Sequence, residues 1–392
     1  MKLSRFGLYC GLLLGINAFS IDILLPSFAA IEAGLNATLQ QVQWIVPVYM
    51  FAAGLGNPFF GLWSDRAGRK PVLIAGLLLF CIGSLVCVFS ASITTLLAGR
   101  FLQGFAAASA MVVCRAMIRD RFSGVALAQN MAIASMFFAL GPMLAPLVGY
   151  LVYSWLGWRA VFWVLVLFGL SMLLATTLQA ETLDPSKRKV GFNTVPADLL
   201  SIYRHPQSRH FIVLSCFCSG MIFTFLAYSP EIYVRYLGAS EGQFSFLFAL
   251  LSIGIIAGQW LNHRLIESLG AVTTAYRAAA VLFAVALCIF ASIAAGMINI
   301  IVFSVLMLVF NFFYLVVVSN FLSLSMDPHA SRAGSASAVF GFSSYVGGAL
   351  LAMLVGFIAG ADIAIWSVCF CVLALIIMLG ARHWFKRLAL PV

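Results

Sequence analysis

"GLWSDRAGRKP", residues 61–71, gathers Asp65, Arg66, Arg69 and Lys70 into six positions of a chain in which only 9% of residues are charged. Apolar runs flank it on both sides, at about 43–63 and 71–90. A bilayer core about 30 Å thick needs roughly 20 apolar residues per helix, so each run is long enough to cross. The stretch therefore reads as a short charged turn between two membrane helices, with Gly68 as the turn former. Working outward, the same division gives twelve runs in the 392 residues: about 7–30, 43–63, 71–90, 94–116, 125–152, 159–179, 211–234, 243–263, 271–295, 298–322, 333–359 and 361–380. The chain is 63% hydrophobic with a mean hydropathy of +1.08. A soluble domain is about half apolar and a quarter charged, so a soluble fold is excluded. The runs are too long and too uniformly apolar for barrel strands. The expected fold is all-α, a polytopic membrane protein of twelve transmembrane helices.

The formal charge of +10 is distributed by loop. Arg159 and Arg235 fall in loops on one side and Arg100 falls within a run. Every other Lys and Arg lies in or beside the termini and the even-numbered loops. That asymmetry is the positive-inside pattern and places both termini in the cytoplasm. The basic excess is a topology signal and does not point to nucleic acid. The nine cysteines all fall inside the runs, and the two CFC pairs (Cys216/Cys218, Cys369/Cys371) turn their thiols to different helix faces. They read as small buried hydrophobes, and no metal site is expected. Lys2 and Arg5 ahead of an apolar stretch resemble a signal peptide. The stretch is long enough to span and eleven more follow, so it reads as an uncleaved first helix.

The longest polar interval, about 180–210, holds Lys187, Arg188, Lys189, Arg204 and Arg209. It divides the chain into an N-terminal six-helix bundle (1–180), a cytoplasmic linker (181–210) and a C-terminal six-helix bundle (211–392). Two similar halves are what a transporter built from repeats requires, with its site between them at mid-membrane. A weak echo supports repetition: Gly61 is followed four residues on by Asp65 and then basic residues, and Gly258 four residues on by Asn262 and then Arg264.

The turn 61–71 resembles the loop 2–3 signature of the major facilitator superfamily, Gly-x-Leu-x-Asp-Arg-x-Gly-Arg-Lys, through Gly61, Leu62, Asp65, Arg66, Gly68, Arg69 and Lys70. "LLAGRFLQGFAAA" (96–108), with Arg100, Gln103 and Gly104, resembles the family's fourth-helix motif. "ALGPMLAPLVGYL" (139–151) resembles the fifth-helix motif of its exchangers through Gly141, Pro142, Pro146 and Gly149, departing from it at Tyr150. With "GWRAVFW" (157–163) and "AETL" (180–183), the set is most similar to the bicyclomycin-resistance (Bcr/CflA) branch of drug:proton antiporters. The resemblance implies the major facilitator fold and a gating role for the turn, whose acid would contact the start of a helix in the other half. A carboxylate there gains from unpaired N–H groups and the helix dipole. The alternative for these residues is a folding and topology element. For Gly141, Pro142, Pro146 and Gly149 a hinge and a packing seam stand equally.

Twelve acids are present, and every one except Asp22 lies in a loop or within a few residues of a run's end; the five histidines do likewise. Asp22 sits in "AFSIDILLPSF" (18–28), otherwise apolar. An ionised Asp at mid-bilayer costs about 2.5–3.5 kcal/mol on insertion scales, and such residues are functional by default. Loss of solvent favours the neutral acid, the condition for loading and releasing protons. Asp22 also fits the position of the first-helix acid in the antiporters named above. The alternative is an acid near the outer helix end, satisfied by water or a serine. Arg100 is the second buried charge, either snorkelling to the surface, bonding backbone carbonyls of a neighbouring helix, or influencing Asp22 electrostatically. A direct pair would hold Asp22 ionised and oppose proton loading, which argues for distance or a movable contact.

With Asp22 and Arg100 as the clear buried charges, the cavity should be apolar, aromatic and uncharged-polar. Candidate lining residues are Asn17, Trp44, Tyr49, Gln103, Tyr228, Asn311 and Tyr314. Such a cavity suits an amphipathic small molecule. The expected function is a proton-coupled exporter of amphipathic compounds of drug-efflux type in the cytoplasmic (inner) membrane. The alternative is export of an endogenous product such as a siderophore or metabolite. No cofactor is expected, since the proton gradient supplies the energy; the partners are substrate, protons and lipid, and the chain is expected to work as a monomer. An enzyme would need a cluster of catalytic groups and a channel a ring of polar groups, and neither is visible. No Gly-x-x-x-x-Gly-Lys-Ser/Thr loop for ATP occurs.

Overall fold

The computed structural model describes residues 5–188 and 195–389. Among them there is no strand, and twelve helical segments are long and apolar enough to cross a membrane. In order they are Arg5–Gly34, Leu39–Ala67, Arg69–Val88, Ile93–Arg121, Gly124–Leu156, Trp158–Thr177, Pro206–Tyr236, Glu241–Leu269, Ala271–Ala294, Ile300–His329, Gly334–Ala359 and Ile363–Arg387. They are called the first to twelfth spans below.

The links are short and chemically explicit. Single glycines at positive φ separate the second from the third span (Gly68, 101°), the fifth from the sixth (Gly157, 80°) and the eighth from the ninth (Gly270, 75°). Left-handed glycine is a common way to end a helix without a Cβ clash. Where a helix starts, a side chain takes the free N–H groups. Thr38 with Gln41 and Ser240 with Gln243 form reciprocal capping boxes, at the second and eighth spans.

The chain divides into two compact units, Met1–Phe192 and Asn193–Val392. In the first, the first span packs on the fifth, the second and third on the fourth, and the third on the sixth. In the second, the seventh packs on the eleventh, the eighth and ninth on the tenth, and the ninth on the twelfth. The pairing pattern is the same once six spans are added to each number. Such duplication is the mark of a fold built from an internal repeat.

Several boundaries differ from those read in the sequence, each for a local reason. The first span is two helices, Arg5–Asp22 and Phe28–Gly34, joined through the 3₁₀ turn Leu25–Ser27. Pro26 lacks the N–H that would close an α-turn onto Asp22, so the helix breaks there. Arg235, read as a loop residue, belongs to the π-helical turn Glu231–Tyr236 that follows Pro230 and ends the seventh span. It pairs there with Glu231 at 3.3 Å. The interval read as a polar linker contains a ten-residue helix, Val195–Arg204. That helix buries Ile202 and hydrogen-bonds through the Tyr203 hydroxyl to Ser343 of the eleventh span. The charged stretch 61–71 is almost entirely helical, with Gly68 alone forming the turn.

Candidate functional site

Asp22 is the last residue of the first helix, at the break, and is only 4% exposed. Among the described residues no ion pair or hydrogen bond reaches its carboxylate. Broken membrane helices leave main-chain groups free where a site is needed, because the carbonyls before a helix end have no N–H one turn ahead. Here one of those carbonyls is taken by Arg100.

Arg100 is fully buried, 0% exposed, on the fourth span. Its Nη1 donates to the carbonyl of Ser20 at 3.1 Å and to Oε1 of Gln103 at 2.9 Å. Its guanidinium lies 4.2 Å from the ring centroid of Tyr49 on the second span. Nε and Nη2 have no hydrogen-bond partner. Snorkelling is excluded by the burial, and the backbone-carbonyl reading is the one the geometry shows. Gln103 is itself anchored, donating through Nε2 to Ser84 Oγ of the third span at 2.6 Å. Desolvating a guanidinium costs several kcal/mol, and charged hydrogen bonds of about 1.5–3 kcal/mol each with a cation–π contact are of comparable size. The arrangement brings three sequence candidates into contact, Arg100, Gln103 and Tyr49, and ties them to the main chain two residues before Asp22. Asn17 lies about one turn before Ser20, buried, its amide N–H 3.9 Å from Met111 Sδ. Trp44 is half-buried at the turn that begins the long helix of the second span.

The fifth-span motif packs against this break. A Cβ on Gly149 would fall 2.0 Å from the carbonyl oxygen of Ile23, and one on Gly141 2.8 Å from Cβ of Ala18. The two glycines thus let the fifth span approach the first on both sides of Ser20 and Asp22. Pro142 and Pro146 lie inside the continuous helix Gly124–Leu156.

The charged stretch closes one end of the same unit. Arg69, nearly buried at 7% exposure, donates from Nη1 to Asp65 at 2.6 Å and to Ser64 Oγ at 2.9 Å, and from Nε to Asp120 at 2.8 Å. Asp120 ends the fourth span, so one guanidinium ties the second, third and fourth spans. Glu181, just beyond the sixth span, accepts from the main-chain N–H groups of Arg69 at 3.0 Å and Lys70 at 3.1 Å, and from those of Thr182 and Leu183. It caps the start of the third span. Partial burial works to raise the pKa of Glu181, and the four N–H groups more than offset it, leaving the carboxyl below its ordinary value. Lys70 Nζ reaches the carbonyl of Thr177 at 2.7 Å, the end of the sixth span, where a cation suits the helix dipole. Gly61 sits one turn before Asp65 on the second span, and Arg66 occupies its last turn. Asp120 and Glu181 are the contributors that sequence reading missed. Asp120 appeared only as a helix-end acid, and Glu181 only as a letter in a motif match.

In the second unit Tyr228 donates to the carbonyl of Gly360 at 2.8 Å, and Asn311 donates to that of Met307 at 2.9 Å. Tyr228, Trp366, Phe370, Phe310 and Tyr314 follow one another in ring contacts of 5.0–6.0 Å, joining two of the candidates through an aromatic column. The echo at Gly258 also acquires a structure. Asn262 accepts from Asn320 Nδ2 at 2.8 Å, linking the eighth and tenth spans as Arg69 links the second and fourth. The second unit uses neutral amides there, where the first uses ions.

Comparison with known proteins agrees with this architecture. The family profile of the Major Facilitator Superfamily matches residues 10–352. The MFS-type transporter YdgK of Bacillus subtilis is 30% identical over 357 residues, covering 88% of this chain and 87% of that one. A bicyclomycin resistance protein homolog of Haemophilus influenzae is 28% identical over 283 residues, covering 71% and 70%. Among solved structures, the D-xylose-proton symporter superposes with a TM-score of 0.76 at 17% identity, covering 98% of both chains. The last shows the fold, and the relatives agree with the branch that the motifs resemble. The chain is therefore a multi-pass membrane protein of transporter type, not an enzyme, and it belongs to the major facilitator superfamily.

Proposed function

We infer that the chain is a proton-coupled exporter of small amphipathic molecules across the cytoplasmic membrane, with both termini on the cytoplasmic side and a single copy sufficient for transport. The observation that carries this reading is Asp22: a buried carboxyl at a broken helix, without an ionic partner among the described residues, two residues after a main-chain carbonyl held by Arg100. A carboxylate held by a cation stays ionised across the physiological range, whereas one facing only neutral groups changes charge when it takes up a proton. Substrate binding and protonation at such a group exclude or permit one another, and the two units provide the alternating access. The Asp65–Arg69–Asp120 cluster, with Glu181, biases that equilibrium by bracing four spans at one membrane face. The drug-efflux class is supported by the bicyclomycin-resistance relative and by the absence of further acids within the spans' apolar cores.

The test is uptake of lipophilic drugs into inverted membrane vesicles carrying the protein. Accumulation should require an imposed pH gradient, collapse with a protonophore, and disappear in Asp22→Asn. Gradient-independent accumulation, or an active Asp22→Asn, would remove the proposal.

A further inference from the structure

The ninth and twelfth spans pack together, the ninth beginning at the membrane face where the twelfth ends. At that end the rings of Tyr276 and Phe385 stack with centroids 5.0 Å apart and planes 20° from parallel. Both rings are half-buried, and three exposed cations adjoin them in sequence and on the helix surface. Arg277 follows Tyr276, Lys386 follows Phe385, and Arg382 precedes Phe385 by three residues, which puts it on the same face of the helix. None of the three forms an ion pair among the described residues, and Glu267, the acid nearest the start of the ninth span, meets none of them. The contrast with the first unit is sharp, since Arg69 there is neutralised by two carboxylates.

Three uncompensated cations around an aromatic pair, at the end of two apolar spans, present a surface whose complement has an anionic head and an apolar body. We propose that this surface binds an anionic phospholipid. The phosphodiester sits among Arg277, Arg382 and Lys386, and the glycerol and upper acyl chains lie against the Tyr276–Phe385 stack. Basic clusters between membrane helices at the headgroup level hold anionic lipid in this way, and tyrosine prefers the same depth. Guanidinium groups contribute bidentate contact to phosphate, and the lysine a point charge. Choline lipids carry their own cation and gain nothing from the cluster. The neighbouring Arg264 differs, being spread over the exposed ring of Trp260 at 4.2 Å, and serves as the comparison.

The experiment is native mass spectrometry of the full-length protein in detergent, titrated with phosphatidylglycerol or phosphatidylcholine. Wild type should retain phosphatidylglycerol and not phosphatidylcholine. Each Arg or Lys near a charged membrane surface is worth about fivefold in binding, so the triple variant Arg277→Gln, Arg382→Gln, Lys386→Gln should bind about 100-fold more weakly. Arg277→Lys with Arg382→Lys, which keeps charge and fold, should retain most of the affinity, and Arg264→Gln all of it. Equal retention of phosphatidylglycerol by the triple variant, equal retention of the two lipids by wild type, or an equal loss in Arg264→Gln overturns the proposal. Displacement of the lipid by millimolar inorganic phosphate would also overturn it, by reducing the site to a phosphate site without lipid contact.

Discussion

Arg100 and Asp22 approach the same helix break and do not pair: the guanidinium ends on the carbonyl of Ser20, at 3.1 Å, two residues before the acid. The arginine therefore fixes the position of the main chain that carries Asp22 while leaving its carboxyl without an ionic partner. Helix geometry explains how both are met. The α-helix stops at Asp22 because Pro26 supplies no N–H, which frees nearby carbonyls as acceptors.

That relationship sets the first expectation. Arg100→Lys keeps the charge but gives up the longer reach of Nη1, which makes both bonds, and the planar guanidinium over Tyr49. Transport should fall at least tenfold, on the order of the loss of one charged hydrogen bond of about 1.5–3 kcal/mol. The protein should still assemble in the membrane. Transport kinetics alongside expression and gel-filtration profiles check this, and unchanged kinetics would mean the Ser20 contact is idle.

Packing of the first and fifth spans gives a graded series. Gly149→Ala forces a methyl group into the Ile23 carbonyl, where main chain has to move, and overpacking of this kind costs about 1–3 kcal/mol. Gly61→Ala meets only Cγ1 of Val112 at 3.4 Å and should be tolerated. Thermal unfolding in detergent should rank the two variants in that order, with Gly149→Ala the less stable. The reverse order would contradict the close approach.

Gly68 carries φ of 101° and ψ of 162°, a backbone region that only glycine adopts readily. Gly68→Ala should cost about 1–3 kcal/mol of strain, and its Cβ would also fall 2.5 Å from Glu181 Oε2. The loss should be visible as reduced thermal stability and reduced transport. A variant as stable as wild type would show that the turn can be made otherwise.

Glu181 gives a pH dependence with a definite sign. Its carboxyl is held below the ordinary value by main-chain N–H groups, so its stabilising contribution is present above the unfolded-state pKa and is lost as pH falls through the lower folded-state value. Glu181→Gln should lower thermal stability at neutral pH, and the gap from wild type should close in acid. Equal stabilities at pH 7 would remove the capping role.

The fold was legible because its dominant feature is length and apolarity, which a bilayer reads directly. Asp22 was legible for the same reason, as the one acid that apolar neighbours cannot excuse, whereas the break at Pro26 was hidden inside a run that reads as continuous. What stayed hidden was the partner of Arg100. A main-chain carbonyl has no residue identity, so nothing in positions 18–28 announces that Ser20 accepts from eighty residues away. Asp120 and Glu181 were hidden for a related reason, since charged residues at helix ends are common and only tertiary contact separates a brace from a solvated side chain. The turn 61–71 looked like a loop because its charges are dense, yet one glycine suffices to turn the chain and the rest is helix.

The most direct test of the central claim is proton release on substrate binding, measured in weakly buffered detergent with purified wild type and Asp22→Asn, with binding verified separately. Release by wild type and none by Asp22→Asn, both binding the compound, is the predicted result. Equal release from the two proteins would contradict it and move coupling away from Asp22.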